Sequence, residues 1–275
     1  MSNCNSNCSG CSQSCGQRTA PENFKINPHE TTKIGKIIGV VSGKGGVGKS
    51  LVTSMLASEM AKKGYKVGVM DADITGPSIP KYFGIKENAT ADEEGNIFPV
   101  KSENGIKIIS INLLLENETD PVVWRGPVVA GVIKQFYQDV LWEELDYLFV
   151  DLPPGTGDVP LTIFQSLPID GIVVVTTPNE LVEIIVKKAI KMAKLMGVQV
   201  LGLVENMSYL KCPSCSEIIS IFGESKIEKI SKELNISTFS KVPIDPSISN
   251  ATEKGKIYSI EESYLYDIVE RIEVL

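Results

Sequence analysis

At 275 residues, 43% hydrophobic and 22% charged, the chain has an ordinary globular composition. A single α/β domain of this length buries roughly 75% of its unfolded surface without disulfide staples. The net charge of −7 argues against a nucleic-acid partner, which calls for a basic stripe, and no apolar run reaches the roughly 20 residues of a membrane helix.

The first residues lack the basic start and apolar core of a secretory signal, so a cytoplasmic location is expected. In that compartment six cysteines read as metal or cluster ligands rather than disulfides. Two units follow from the pattern: a Cys-rich tail and linker over residues 1–33, and a folded domain over residues 34–275. The stretch Ser2–Gln17 is almost wholly Ser, Asn, Gln, Gly and Cys and is expected to be disordered unless its cysteines are bound. Cys4, Cys8, Cys11 and Cys15 match the count and compact spacing of a local [4Fe–4S] site, with zinc or no metal as open alternatives. Pro21 and Pro28 mark the linker, where His29 reads as a plain linker residue.

From Lys36 onward short apolar runs alternate with amphipathic ones. Strands are expected at Ile37–Ser42, Lys66–Met70, Ile106–Ile111, Tyr147–Asp151, Gly171–Thr176, Val200–Glu205 and Thr238–Val242, mostly apolar throughout, as in a sheet covered on both faces. Helices are expected at Lys49–Lys63, Val128–Trp142, Leu181–Met196, Ser225–Leu234 and Glu261–Ile272. The alternation predicts an α/β fold: a doubly wound, mostly parallel sheet flanked by helices.

The first strand runs into Gly43, Lys44, Gly45, Gly46, Val47, Gly48, Lys49, Ser50 and Leu51, which match the G-x-x-x-x-G-K-[ST] pattern in its strand–loop–helix setting. Glycines let backbone N–H groups converge on phosphate, and the helix N-terminus adds its dipole. Lys49 is expected on the β- and γ-phosphates of ATP and Ser50 on Mg²⁺. Asp151, ending the apolar strand Tyr147–Asp151, is expected to hold Mg²⁺ through water, with a turn cap as the bland alternative. Gly155 in the loop that follows can present its N–H to the γ-phosphate. Asp71 and Asp73 end another strand, where two carboxylates either orient water and the metal shell or are solvated turn residues.

Cys212-Pro213-Ser214-Cys215 supplies two thiolates at a spacing that clasps one metal or one edge of a cluster. A two-fold dimer would bring two such pairs together and complete four ligands. A zinc bridge, a redox dithiol and inert surface thiols stay open as alternatives.

The two lysines of Lys44-Gly45-Gly46-Val47-Gly48-Lys49-Ser50 resemble the deviant Walker A loop of the MinD-like ATPases. That resemblance implies that Lys44 reaches across a dimer interface to the partner's nucleotide. Within that superfamily, Asp71–Pro80, Trp124–Pro127, Asp151–Asp158, Val204–Ser208 and Cys212–Cys215 are similar to the Mrp/ApbC iron–sulfur carriers, with Thr75 standing where the family usually has an aromatic. The resemblance covers the chain from about Lys36 to its end. It implies that Asn206 contacts adenine and that Asp73 positions the attacking water. It further implies an ATP-dependent homodimer with slow hydrolysis, which holds a [4Fe–4S] cluster between subunits and hands it to apo iron–sulfur proteins. Arg125 is open between a structural ion pair and a functional role. A MinD-like spatial regulator is a rival, but the acidic stretch 261–271 would be repelled by anionic lipid. A zinc-bridged scaffold is the other.

Overall fold

The computed structural model describes residues 25–74, 76, 78–115, 126–178 and 182–275. Cys4, Cys8, Cys11, Cys15, Thr75, Trp124 and Arg125 lie outside the described residues.

Strand β1 (Lys33–Ser42) is fully buried from Ile37 onward, as its unbroken apolar run requires. It feeds helix α1 (Lys49–Lys62), which is buried over nearly its whole length from Val52 to Ser58 and is apolar on more than one side for that reason. β2 (Val67–Asp71) follows, then the one-turn helix α2 (Ile79–Tyr82). Short strands β3 (Thr90–Ala91) and β4 (Ile97–Phe98) form a ribbon, and β5 (Val100–Lys101) turns into β6 (Lys107–Ile109). Then come α3 (Gly126–Gln138), β7 (Glu144–Asp151), α4 (Asp158–Ser166), β8 (Gly171–Thr176), α5 (Val182–Leu195) and β9 (Gln199–Glu205). A second ribbon, β10 (Leu210–Lys211) with β11 (Ile218–Ile219), precedes α6 (Ile227–Leu234), β12 (Phe239–Lys241), α7 (Pro246–Glu253) and α8 (Tyr266–Glu273).

The main sheet runs β12-β9-β8-β1-β7-β2-β6-β5 and is parallel except for β5 at one edge. Two apolar layers cover it. Ile133 and Phe136 of α3, Ile163 and Phe164 of α4, and Val186 and Ile190 of α5 pack one face. Val52, Leu56 and Met60 of α1, with Ile268 and Ile272 of α8, pack the other. The expected doubly wound α/β sheet is therefore present. The chain leaves β1 toward β2 on one side and later passes from β7 to β8 on the other, so the strand order reverses at β1. The crevice at this switch point is where α/β sheets bind ligands.

Element ends differ from the sequence expectation for identifiable reasons. The run expected as a helix to Trp142 stops at Gln138, because Val140 forms a β-bridge with Ile97 and Trp142 turns in to donate from Nε1 to the Phe136 carbonyl at 3.0 Å. The run Ile106–Ile111 is a strand only over Lys107–Ile109 and then becomes a 3₁₀ turn, Ile111–Leu113. The C-terminal helix begins at Tyr266 rather than Glu261, since Ser263 and Tyr264 bond Glu59 and Asp245 instead of continuing a helix. Three further helices had no expectation. α2 and α4 carry Pro80 and Pro160 in their first turns, where the ring is tolerated. α7 starts with Pro246 after Asp245, whose Oδ1 accepts from the Ser247 N–H at 2.7 Å.

The start of the domain is also tied down before residue 34: the Ile26 N–H donates to the Ser166 carbonyl at 2.9 Å and Ile26 packs on the first apolar layer.

At the joint of α2 and α7, Gly255 has φ +66° and its backbone lies against Gly84, where a Cβ would come within 2.3 Å of the Gly84 Cα. Two backbones cannot both move aside, so Gly255→Ala is expected to cost about 2–4 kcal/mol of unfolding free energy in a urea titration. A loss below about 1 kcal/mol would show that the joint relaxes.

Candidate nucleotide site and cysteine hairpin

The P-loop is built by the burial of β1 and α1 on either side of it. Gly46 and Gly48 take φ of +79° and +80°, the left-handed region that glycine enters freely. Gly48 is the N-cap of α1 and no side chain caps that helix. A Cβ placed on Gly45 or Gly46 would meet nothing within 4 Å, so the loop faces an open cradle. Gly48 is different: a Cβ there would come within 2.1 Å of Asn206 Nδ2. Asn206 donates from that nitrogen to the Val47 carbonyl at 2.9 Å and so closes the end of β9 onto the P-loop.

Behind the loop lies a buried charge cluster. Lys49 Nζ sits 2.7 Å from Asp151 Oδ2 and 3.4 Å from Asp73 Oδ2. Ser50 Oγ donates to Asp151 Oδ2 at 2.5 Å. Asp151 pairs in register with Asp71 across β7 and β2, which puts both carboxylates at the carboxyl ends of the strands. Asp71 accepts from Ser110 Oγ at 3.1 Å and from the Asp73 N–H at 3.2 Å. Burial, then the Asp151 charge, pushes the Asp71 carboxyl up to about 8, with Lys49 opposing the rise. For Lys49, burial alone would depress the pKa, but Asp151 and then Asp73 outweigh it and hold the ammonium above its ordinary value.

These groups fit a magnesium nucleotide. The open glycine cradle and uncapped helix N-terminus suit phosphate. The Ser50 hydroxyl and Asp151 carboxylate are hard oxygen donors meeting at one point, as Mg²⁺ prefers. Gly155, with φ +92°, donates its N–H to the Ser42 carbonyl at 2.8 Å, which ties the loop after β7 to the P-loop strand. A switch at Gly155 has to release that bond.

Thr53 and Ser110 are site residues that motif reading passed over. Thr53 lies fully buried in α1 and donates to Asp151 Oδ1 at 2.7 Å. The available signal was a hydroxyl one helical turn beyond the P-loop lysine, at a position whose neighbours are all apolar or small.

From Asn206 the chain passes Met207 (φ +55°) and enters the β10–β11 ribbon, whose turn carries Cys212 and Cys215. The Cys212 N–H donates to the Glu217 carbonyl and the Ser216 N–H to the Cys212 carbonyl, both at 2.9 Å. The backbone N–H groups of Cys215 and Ser214 point at the Cys212 sulfur and hold its thiol below the ordinary range. Cys215 is exposed. Among the described residues, no group of three or more His, Cys, Asp or Glu is arranged to hold a metal.

The family described as "ParA: NUBPL iron-transfer P-loop NTPase" matches residues 33–273. The chain belongs to that family. Relatives of the NUBPL iron-transfer NTPases include an iron-sulfur cluster carrier protein of Clostridium perfringens, 49% identical over 244 residues, covering 86% of this chain and 86% of the relative. One from Methanocaldococcus jannaschii is 45% identical, covering 93% and 90%. A solved nucleotide-binding protein of Archaeoglobus fulgidus in complex with ADP is 43% identical with a TM-score of 0.76, over 85% of this chain and 91% of that one. The cell-division ATPase MinD of Pyrococcus furiosus, at 22% identity and a TM-score of 0.59, shares the fold. As a family member the chain is a P-loop NTPase, and no helix among its described residues is long and apolar enough to cross a membrane.

Proposed function

We propose that this NTPase is an ATP-driven carrier that holds a [4Fe–4S] cluster and passes it to apo iron–sulfur proteins in the cytoplasm. The observation that carries the reading is one strand serving two sites: β9 ends at Glu205, is followed at once by Asn206 on the P-loop, and leads into the hairpin of Cys212 and Cys215. The relatives named as cluster carriers support it, as does a cytosolic Fe-S cluster assembly factor of Chaetomium globosum, 40% identical over 82% of this chain.

Asn206 is the residue that contacts adenine in this reading. Asn206 spends an N–H on the Val47 carbonyl, leaving its own carbonyl oxygen to accept. The exocyclic amine of adenine can donate to it, and the second Nδ2–H is left for a ring nitrogen of the base. Lys49 exchanges its carboxylate partners for phosphate oxygens, Ser50 and Asp151 hold Mg²⁺, and Asp73 orients the attacking water. Bound Mg²⁺ neutralises charge on the transferred phosphoryl group. Lys44 completes the site of a second copy in a homodimer. The same two-fold axis brings two hairpins together, so that four thiolates from Cys212 and Cys215 enclose the cargo. The N-terminal Cys4, Cys8, Cys11 and Cys15 form a separate cluster site. A membrane-cycling role is disfavoured by α8, which carries Asp267, Glu270 and Glu273 against the single cation Arg271.

Anaerobic reconstitution, with iron, sulfide and zinc measured on the full chain and on a chain starting at Lys25, tests the reading. Cutting there spares Ile26 and its bond to Ser166. The shorter chain is expected to remain a folded ATPase and to lose one cluster's worth of iron per chain. It should still deliver its remaining cluster to an apo [4Fe–4S] protein. Zinc without iron in the shorter chain would support the bridged-scaffold alternative and sink the carrier. Unchanged iron would show that the tail holds no cluster.

A further inference from the structure

We infer that Thr53 is a positioning residue for Asp151: its buried hydroxyl holds one carboxylate oxygen so that the other faces Ser50 and the metal–phosphate position. This rests on the magnesium–nucleotide reading of the site and concerns which residue sets the site's grip on the metal.

The two oxygens of Asp151 are sorted by their partners. Oδ1 accepts from Thr53 Oγ1 at 2.7 Å, and Oδ2 accepts from Ser50 Oγ at 2.5 Å and Lys49 Nζ at 2.7 Å. Asp151 and Thr53 are both at 0% exposure, so water supplies none of these contacts. Thr53 has one hydroxyl proton and two acceptors in reach, Asp151 Oδ1 and the Lys49 carbonyl at 3.0 Å. The carboxylate wins, because it is nearer and charged, and such bonds are roughly twice as strong as neutral ones.

The contacts on Oδ2 cannot outlast nucleotide binding unchanged. Lys49 is required at phosphate and the Ser50 hydroxyl at the metal. The Thr53 bond lies on the far side of the carboxylate and can persist through that exchange. It is thus the contact that fixes the carboxylate's rotation in both states. Valine has the same shape without the donor. It would leave Oδ1 buried and unpaired, and the carboxylate would then turn toward the remaining donors. Misaim of the oxygen that would hold the metal through water weakens the metal more than the phosphate, since Mg²⁺ demands near-ideal geometry and keeps several waters. If Thr53 only satisfied the Lys49 carbonyl within α1, its loss would lower stability and leave the response to metal unchanged.

The test uses the full chain and a fluorescent ADP analogue, titrated with Mg²⁺ absent and with Mg²⁺ varied. Thr53→Val is expected to raise the half-saturating Mg²⁺ concentration about tenfold, or about 1.4 kcal/mol. Affinity for the analogue without Mg²⁺ should stay within about twofold, and Thr53→Ser, which restores the hydroxyl, should return the Mg²⁺ response to within about twofold of the parent. If the valine variant fails to fold, Thr53→Ala adds no volume and carries the same comparison. A parental Mg²⁺ response in the variant lacking the hydroxyl, or equal losses with and without Mg²⁺, would overturn the assignment. A parent chain that binds nucleotide with no Mg²⁺ dependence would instead overturn the magnesium site itself, and this role with it.

Discussion

Lys49→Ala is expected to abolish measurable ATP binding and turnover. The Lys49 side chain is 5% exposed, and its ammonium serves Asp151 and Asp73 before it serves phosphate. Each charged hydrogen bond to phosphate that is lost removes about 1.5–3 kcal/mol, or roughly 10- to 150-fold in affinity. The same change leaves buried carboxylates without their cation, and breaking such a group by removing one member costs about 3–5 kcal/mol of stability. That second loss has a pH signature. Asp71, raised to about 8 in the fold, binds its proton more tightly than in the unfolded chain. Stability through this group is therefore full below the ordinary carboxylate range and falls as pH rises toward 8. Without Lys49 the carboxyl is held higher still, so the fall in the variant's urea stability should continue to a higher pH than the parent's. A parallel pH dependence in both would contradict the shared charge cluster. Lys44→Ala provides the contrast. That residue lies outside the buried cluster's ion pairs, so ATP binding should survive while hydrolysis is lost. Equal loss of affinity in the two variants would refute the division of labour between the lysines.

In the chain starting at Lys25, Cys212→Ala is expected to eliminate the reconstituted cluster entirely while ATP binding stays intact. The effect is all-or-none because the hairpin offers two thiolates, and a [4Fe–4S] cluster is normally held by four. Loss of Cys212 from both copies removes half of them. The N–H groups of Cys215 and Ser214 also lower the Cys212 thiol's pKa, and the thiolate is the ligand. The fold should be little affected, within about 0.5 kcal/mol, since Cys212 is only half-buried and the rest of the turn is exposed. Light scattering combined with iron and sulfide analysis should give one cluster per dimer in the parent. One cluster per monomer, or a cluster kept without Cys212, would defeat the bridging arrangement. Ile218, Ile219, Ile221 and Phe222 stand exposed beside the turn, so cluster loss can be accompanied by dissociation without any change in the ATPase fold.

Much of this molecule is written in short stretches of its sequence. The apolar runs at Ile37–Ser42 and Gly171–Thr176 demand burial on both faces, and those strands form the middle of a parallel sheet. The loop from Gly43 to Ser50 is legible because phosphate binding needs consecutive backbone N–H groups, which the local glycines alone provide. Asp151 and the Cys212–Cys215 pair stand out for the same reason, since residue type and local spacing mark them as candidates. Proline in the first turns of α2 and α4 hid those helices, because the same residue marks both loops and helix starts. What only the tertiary structure decided are the contacts between distant segments. Thr53 meets Asp151, Ser110 meets Asp71, Asn206 meets Val47 and the Gly155 N–H meets the Ser42 carbonyl, each joining separate elements brought together by sheet order. A hydroxyl in a helix reads as neutral until a buried carboxylate lies opposite it. The strand order that puts β7 beside both β1 and β2 supplies that carboxylate, and no local pattern encodes which strands become neighbours.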